Sequence, residues 1–252
     1  MDELEFIMMT YKNIIDVRKR KPLSKIIDDF INVEKFNYDD KIMIMKDLIA
    51  KMDKHIIPEC YPEFLIRGID ERIFRMVFLS KMGFSLVSKD WIRLLAEFIG
   101  RGKVLEVMSG CGSLAYALHN EGVNIIATDN FSWKEPLGTW NETRNYWYNI
   151  ENIDAVEAVR KYGSQVDYIL MAWPIIVTQS YVFDMMKDIN PNCKMIYIGE
   201  DVDGQTTDYQ FLDIANPLPL ETYCYLSNRK EIPVNDKYKN WKGFKSKIFI
   251  AQ

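Results

Sequence analysis

The stretch VLEVMSGCGSLA, residues 104–115, decides the fold of this 252-residue chain. It runs an apolar segment directly into a glycine-containing loop and on into a segment of helical pattern. A buried strand that ends in such a loop brings backbone N–H groups and a helix N-terminus close to a ligand, because glycine has no side chain to hold the ligand away. Gly110 and Gly112 can do this. The stretch therefore predicts a strand–loop–helix unit that binds a ligand.

After this unit, short apolar runs alternate with segments of helical pattern, which is typical of a parallel sheet covered by helices. We predict strands in four of these runs: KVLEVM (103–108), NIIAT (124–128), DYILMAW (167–173) and KMIYIG (194–199). Beyond about residue 220 no crossover helix is evident, and the sequence predicts two late strands, TYCYL (222–226) and KSKIFIA (245–251), joined by a lysine-rich connection. The expected fold class is α/β.

The first 90 or so residues differ, because apolar positions recur at helical spacing and glycine is nearly absent. We predict helices in IDDFINVEKF (27–36), DDKIMIMKDLIAKMDKH (39–55), DERIFRMVFLSKMG (70–83) and residues 89–98. Ser88 is the expected N-cap of the last helix and Gly100 its stop. We therefore divide the chain into a helical cap, residues 1–83, and a ligand-binding domain, residues 84–252.

Composition narrows the class of protein. The net charge of −4 gives no global attraction to nucleic acid and leaves a local basic patch open. The four cysteines lack CxxC spacing, and with only His55 and His119 a histidine-built zinc site is not expected. No stretch approaches the roughly 20 apolar residues that span a bilayer. We expect no membrane partner, no metal, and a reducing, cytoplasmic location.

The residues themselves point to an adenosine-containing cofactor. Asp129 ends the predicted second strand, where a carboxylate can accept hydrogen bonds from a ribose diol. The spacing Gly110-x-Gly112-x-x-Ala115 formally satisfies a dinucleotide fingerprint, and Asp129 follows Gly112 by 17 residues. Spacing alone leaves NAD and other adenosine cofactors open.

The segment VLEVMSGCG resembles motif I of the class I S-adenosylmethionine-dependent methyltransferases, written roughly (V/I)LE(I/V)GxGxG. Glu106 stands at the acidic position of that motif and Met108 at its first glycine. The resemblance implies a Rossmann-like, mostly parallel sheet with a C-terminal antiparallel strand pair, and S-adenosylmethionine as the cofactor. It also implies that Asp129 binds the ribose and that Asp154 faces the adenine amino group. The implied cofactor contacts are Glu106, Met108, Ser109, Gly110, Cys111, Gly112, Asp129, Asn130 and Asp154.

A closer resemblance covers about residues 84–250. It is to a sparsely characterised group of Rossmann methyltransferase-like proteins with a WPP(Y) motif after the fourth strand and an IYIGE motif on the fifth. The matching positions are Trp173-Pro174, IYIGE (196–200), Trp147 seven residues before Asp154, and Trp241-x-Gly243. Trp173, Pro174 and Glu200 follow the fourth and fifth strands, at the carboxyl ends where α/β sites collect, so we expect them to meet the acceptor. Glu200 is either a general base or a solvated strand end. Neither the resemblance nor the sequence names the methyl acceptor, and a small molecule, a peptide and a nucleotide stay open.

The chain departs from amino-group methyltransferases at the fourth strand. Their motif (N/D/S)PP(Y/F) grips an acceptor amine, whereas this chain has Trp173, Pro174, Ile175 and Ile176. Trp173 is either a stacking platform for a planar acceptor or a core aromatic. Three functions stay open: a methyltransferase of unidentified acceptor, a cofactor-binding module with weak or no catalysis, and an NAD-dependent oxidoreductase.

Overall fold

A computed structural model describes residues 38–68, 71–132, 146–174, 184–185, 188–200, 206 and 209–251. Within these residues, four helices precede the first strand: α1 Tyr38–Asp53, α2 Glu63–Arg67, α3 Glu71–Met82 and α4 Lys89–Ile99. The later helices are α5 Ser113–Asn120, α6 Ala155–Tyr162, α7 Tyr209–Ala215, α8 Leu220–Leu226 and α9 Val234–Lys237, and a 3-10 turn spans Gly163–Gln165. The predicted helices at 39–55, 70–83 and 89–98 are confirmed, and IDDFINVEKF lies outside the described residues.

Seven strands form one sheet. They are β1 Lys103–Val107, β2 Asn124–Asp129, β3 Ile150–Asn152, β4 Tyr168–Ala172, β5 Lys194–Gly199, β6 Leu218–Pro219 and β7 Lys247–Ala251. Their order is β3-β2-β1-β4-β5-β7-β6. The first five are mutually parallel, and β7 runs antiparallel to both β5 and β6. The chain therefore has the expected Rossmann-like fold, a mostly parallel sheet with a C-terminal antiparallel pair.

The central strand β1 is covered on both faces. Val104 lies in one hydrophobic cluster, and Leu105 and Val107 lie in the other. Alternate side chains of a strand point to opposite faces, so a strand with helices on both sides must be apolar at nearly every position. Glu106 is the buried exception in β1, because it places an ionisable carboxyl in the interior at only 2% exposure.

The N-terminal helices share a core with the sheet. A single hydrophobic cluster contains Met52 of α1, Phe78 of α3 and Trp91 of α4 together with Val104 of β1 and Ile198 of β5. The helices therefore bury their apolar faces against one side of the sheet. The division into a cap of residues 1–83 and a domain of residues 84–252 stays a prediction.

One predicted strand is wrong, because TYCYL lies in helix α8 and the strand β6 is the two-residue segment directly before it. Leu220, Tyr223 and Cys224 are buried, whereas Tyr225 is 81% exposed and Leu226 65% exposed. Burial at i, i+3 and i+4 follows the helical period, and the alternation of a strand is absent. The strand predicted in KSKIFIA is confirmed as β7.

Candidate functional site

A cavity of about 400 Å³ opens at the carboxyl edge of the sheet. Its wall is built from residues within 82–85, 106–114, 129–132, 154–156 and 172–174. The last four segments follow β1, β2, β3 and β4, because the carboxyl ends of parallel strands meet at one edge and their loops surround a common crevice. The first segment is the turn after α3, which we call the 82–85 turn.

The two glycines of the loop after β1 have different surroundings. Both have positive φ, 61° at Gly110 and 76° at Gly112. A Cβ at Gly110 would meet no atom of the described residues within 4 Å, so the backbone there is open to a ligand. At Gly112 a Cβ would lie 3.0 Å from the Cβ of Tyr148, so a side chain there would crowd Tyr148. Gly110 lines the cavity and Gly112 does not.

Met108 also lines the cavity, and its φ is 55°. A residue with a Cβ is disfavoured in the left-handed region by roughly 1–2 kcal/mol. The backbone at this position therefore suits the glycine that motif I has there. Met108 is held in that conformation while its side chain packs beside the second hydrophobic cluster.

Asp129 ties the end of β2 to the glycine loop. Its Oδ2 accepts a hydrogen bond of 2.7 Å from the backbone N–H of Gly110, and its Oδ1 accepts one of 2.6 Å from Phe131. Asp129 is buried and lines the cavity together with the exposed Asn130. A carboxylate is therefore fixed beside the open backbone of the loop.

Glu106 places a second buried carboxyl in the cavity wall. Within the described residues its Oε2 has no hydrogen-bond partner. Burial, and then the charge of Asp129, raise the pKa of Glu106 well above its ordinary value, and a hydrogen bond with the Ala115 backbone opposes the rise only in part. A cationic group in the cavity would stabilise the ionised form of this carboxyl.

Asp154 has a structural role as a helix cap. It is the N-cap of α6, and its Oδ1 accepts hydrogen bonds from the backbone N–H groups of Val156 and Glu157. Asp154 also lines the cavity. The contact with adenine stays a prediction.

Trp173 lies between the cavity and the core. It is half-buried, has a φ of 51°, and lines the cavity with Pro174. Its Nε1 donates a hydrogen bond of 3.2 Å to the hydroxyl of Tyr238. Its ring lies nearly parallel to that of Phe84, with centroids 6.0 Å apart, and edge-on to Phe244 at 5.2 Å. Burial raises the pKa of Tyr238 to about 12, so its hydroxyl stays neutral at physiological pH.

The structure does not bring Glu200 to the cavity wall. Its Oε1 accepts a hydrogen bond of 2.9 Å from the backbone N–H of Lys245, and its own N–H donates to the hydroxyl of Thr206. The buried Glu200 thus joins the end of β5 to the segment before β7.

Residues 82–85 were not identified from sequence. Ser113 donates a hydrogen bond of 2.6 Å to the carbonyl of Met82, and the indole N–H of Trp147 donates one of 2.6 Å to the carbonyl of Lys81. The backbone N–H of Trp147 in turn donates to the carbonyl of Cys111. These bonds hold the end of α3 against the glycine loop. Gly83 was visible in the sequence only as a helix stop.

Two absences apply to the described part of the chain. It contains no group of three or more His, Cys, Asp and Glu side chains that could hold a metal ion. Among the same residues, no helix is long and apolar enough to cross a bilayer.

Comparisons with known proteins give similarity to solved structures only. No protein-family model matches the chain, and no curated protein matches its sequence. A 1,6-didemethyltoxoflavin-N1-methyltransferase of Burkholderia thailandensis, solved with that substrate and S-adenosylhomocysteine, is 12% identical at a TM-score of 0.37, over 86% of this chain and 90% of that one.

Two further solved structures are similar at the same level. A SAM-dependent methyltransferase of Archaeoglobus fulgidus is 12% identical at a TM-score of 0.38, over 65% of this chain and 94% of that one. The magnesium protoporphyrin IX methyltransferase of Synechocystis, solved with SAM, is 12% identical at a TM-score of 0.35, over 64% and 74%. Similarity this low assigns no reaction, substrate or cofactor to this chain.

Proposed function

We propose that the protein is an S-adenosylmethionine-dependent methyltransferase whose acceptor is not yet identified. One arrangement carries the proposal, because three features lie in the same cavity. They are the buried Oε2 of Glu106, which has no hydrogen-bond partner among the described residues, the open backbone of Gly110, and the fixed carboxylate of Asp129. S-adenosylmethionine carries an ammonium group, a sulfonium centre and a ribose diol. Two carboxyls beside an open glycine loop fit cations and hydroxyls of this kind.

The residues of the cavity divide by their place on the sheet. Asp129 and Asn130 at the end of β2 would hold the ribose, and Asp154 at the start of α6 would meet the adenine. Glu106 would meet the ammonium group of the cofactor. The open backbone at Gly110 leaves room for the part of the cofactor between its ammonium group and its ribose. Met108 then borders the methionine part of the cofactor.

The sheet order supports this cofactor over NAD. The doubly wound dinucleotide fold has the parallel order 3-2-1-4-5-6. In this chain an antiparallel strand, β7, stands next to β5 and separates it from β6. The antiparallel pair at this edge is the feature that resembles the methyltransferases.

The reaction that follows depends on position. The cofactor supplies a methyl group already activated for in-line displacement, so the protein must hold the acceptor in line and exclude water. Trp173 and Pro174 at the end of β4 would hold the acceptor, and the 82–85 turn forms the neighbouring wall, where Phe84 packs against Trp173. Glu200 does not line the cavity, so we do not assign it the role of general base.

A second candidate is a cofactor-binding module with little or no catalysis. Met108 favours it, because its side chain borders the cavity at a position where motif I has glycine. The loss of the polar and aromatic ends of the fourth-strand motif also favours it, although Ile175 and Ile176 lie outside the described residues.

Calorimetry with S-adenosylmethionine, S-adenosylhomocysteine and NAD separates these functions. We expect the first two to bind and NAD not to bind. Methyl transfer from labelled cofactor to a panel of nucleosides, amines and peptides then distinguishes an enzyme from a binding module. Tight binding of NAD, or failure of S-adenosylhomocysteine to bind, would overturn the cofactor assignment.

A further inference from the structure

A basic segment lies at the C-terminal side of the fold. Residues 237–247, which we call the lysine segment, contain five lysines and no acidic residue, in a chain whose net charge is −4. Lys239 pairs with Glu63 at 2.9 Å. Among the described residues the other four lysines form no ion pair, and all four are exposed: Lys237, Lys242, Lys245 and Lys247.

Topology brings the lysine segment to the edge of the sheet that carries the cavity. Lys247 begins β7 and pairs with Gly199, the last residue of β5. Because β7 is antiparallel to β5, the residues just before Lys247 lie at the carboxyl edge of the parallel strands. Glu200 fixes them there through its bond to the backbone N–H of Lys245.

Aromatic contacts connect this segment to the cavity wall. Phe244, within the lysine segment, packs edge-on against Trp173, which lines the cavity. The guanidinium of Arg75 lies 4.4 Å from the centroid of the Phe244 ring. Its partner Glu71 is 3.6 Å away, beyond ordinary hydrogen-bond distance. Phe244 thus connects the lysine segment to the Trp173 wall of the cavity.

The volume of the cavity limits how much of an acceptor can lie inside it. Ligand pockets of proteins measure roughly 300–1,000 Å³, and this one, at about 400 Å³, is near the lower limit. A cofactor on the glycine loop would fill much of this volume. An acceptor larger than its reacting ring would then extend beyond the cavity.

We propose that the acceptor is a planar ring that carries a phosphate, as in a nucleotide, with the ring against Trp173 and the phosphate on the lysine segment. This inference rests on the proposed function. The half-buried indole of Trp173 in the cavity wall suits the π-face of a planar ring. The lysines that have no ion-pair partner among the described residues suit phosphate oxygens. The same chemistry is present in a free nucleotide and in a single-stranded polynucleotide.

The test uses the full chain saturated with S-adenosylhomocysteine. Calorimetry compares each nucleoside with its 5′-monophosphate, and then with a short single-stranded oligonucleotide. We expect the monophosphate to bind about tenfold more tightly than the nucleoside, as one good charge-assisted contact provides. The double variant Lys242→Gln/Lys245→Gln should lose this preference. The control Lys54→Gln/Lys103→Gln removes the same charge from exposed lysines that do not line the cavity, and it should keep the preference.

The outcomes separate the two proposals. If S-adenosylhomocysteine does not bind, the proposed function fails. If it binds but nucleoside and monophosphate bind equally, or neither binds, or the preference survives in the lysine-segment variant, only the acceptor inference is overturned. An oligonucleotide that binds more tightly than the monophosphate, with a steep salt dependence, identifies a polynucleotide as the source of the ring and phosphate, and equal affinities identify the free nucleotide.

Discussion

The carboxylate of Asp129 and the backbone N–H of Gly110 are joined by a hydrogen bond of 2.7 Å across the mouth of the glycine loop. Asp129 ends β2 and Gly110 follows β1, so the bond links two neighbouring parallel strands at the edge where the cavity opens. The side chain that the sequence assigns to a ribose therefore also shapes the loop.

Asp129→Ala should weaken binding of S-adenosylhomocysteine by about 1–3 kcal/mol, because charge-assisted hydrogen bonds to the ribose are lost. It should also lower stability, since the N–H groups of Gly110 and Phe131 lose their acceptor. Calorimetry and thermal melts measure the two effects. Asp213→Ala, an exposed change on α7, is the control. Unchanged affinity in Asp129→Ala would contradict the ribose assignment.

Met108→Gly should be more stable than Met108→Ala by about 1 kcal/mol, because only glycine adopts a φ of 55° without strain. Both variants lose the same packing, so the comparison isolates the backbone. Denaturant unfolding measures this difference. Affinity for S-adenosylhomocysteine should be unchanged or higher in Met108→Gly. A large loss would mean that Met108 itself contacts the ligand.

Trp173→Ala should cost less stability than the roughly 3–5 kcal/mol of a fully buried aromatic residue, because the ring is only half-buried. Some loss is expected from its contacts with Phe84, Phe244 and Tyr238. Cofactor affinity should stay near wild type while methyl transfer falls. Thermal melts and transfer from labelled cofactor provide the readouts. A loss of stability as large as that of a fully buried aromatic residue would contradict a stacking role for Trp173. Undiminished methyl transfer would show that Trp173 is not part of the acceptor site.

Glu106→Gln should flatten the pH dependence of stability. Because its folded-state pKa is raised, Glu106 keeps a proton in the folded state after the unfolded chain has released it, so stability falls as pH rises above 4.5. Glutamine does not titrate, so the variant lacks this loss of stability. The free energy of unfolding of the variant, relative to that of wild type, should therefore rise with pH. Urea unfolding between about pH 5 and 8 measures it, with the exposed Glu157→Gln as control. Identical slopes in wild type and Glu106→Gln would contradict the raised pKa.

Ser113→Ala should loosen the 82–85 turn, because its hydroxyl donates to the carbonyl of Met82 in a buried position. We expect a loss of about 1 kcal/mol of stability, faster hydrogen exchange at residues 82–85, and weaker binding of S-adenosylhomocysteine. The exposed Ser164→Ala is the control. If exchange at the turn rises but affinity is unchanged, the turn is not part of the cofactor site.

Local pattern predicted most of the fold, and its failures have physical causes. The runs around Ile169 and Ile196 are apolar throughout, and the run around Val104 is apolar except at Glu106, because both faces of these strands are buried. Such runs are visible in sequence. The strand prediction for TYCYL was wrong because tyrosine and threonine favour strands locally. The tertiary position of Leu220, Tyr223 and Cys224 on one buried face made the segment helical.

The sequence by itself determined the strand–loop–helix unit, the class of sheet, and the residues around Gly110 and Asp129, because periodicity and glycine placement act over a few neighbouring residues. Only the tertiary structure decided which distant groups meet. It placed the 82–85 turn against the glycine loop through the hydrogen bond of Ser113. It also placed Glu200 outside the cavity wall, where its carboxylate accepts a hydrogen bond from a backbone N–H. Contacts between residues far apart in the chain arise from the packing of whole elements, which no local pattern records.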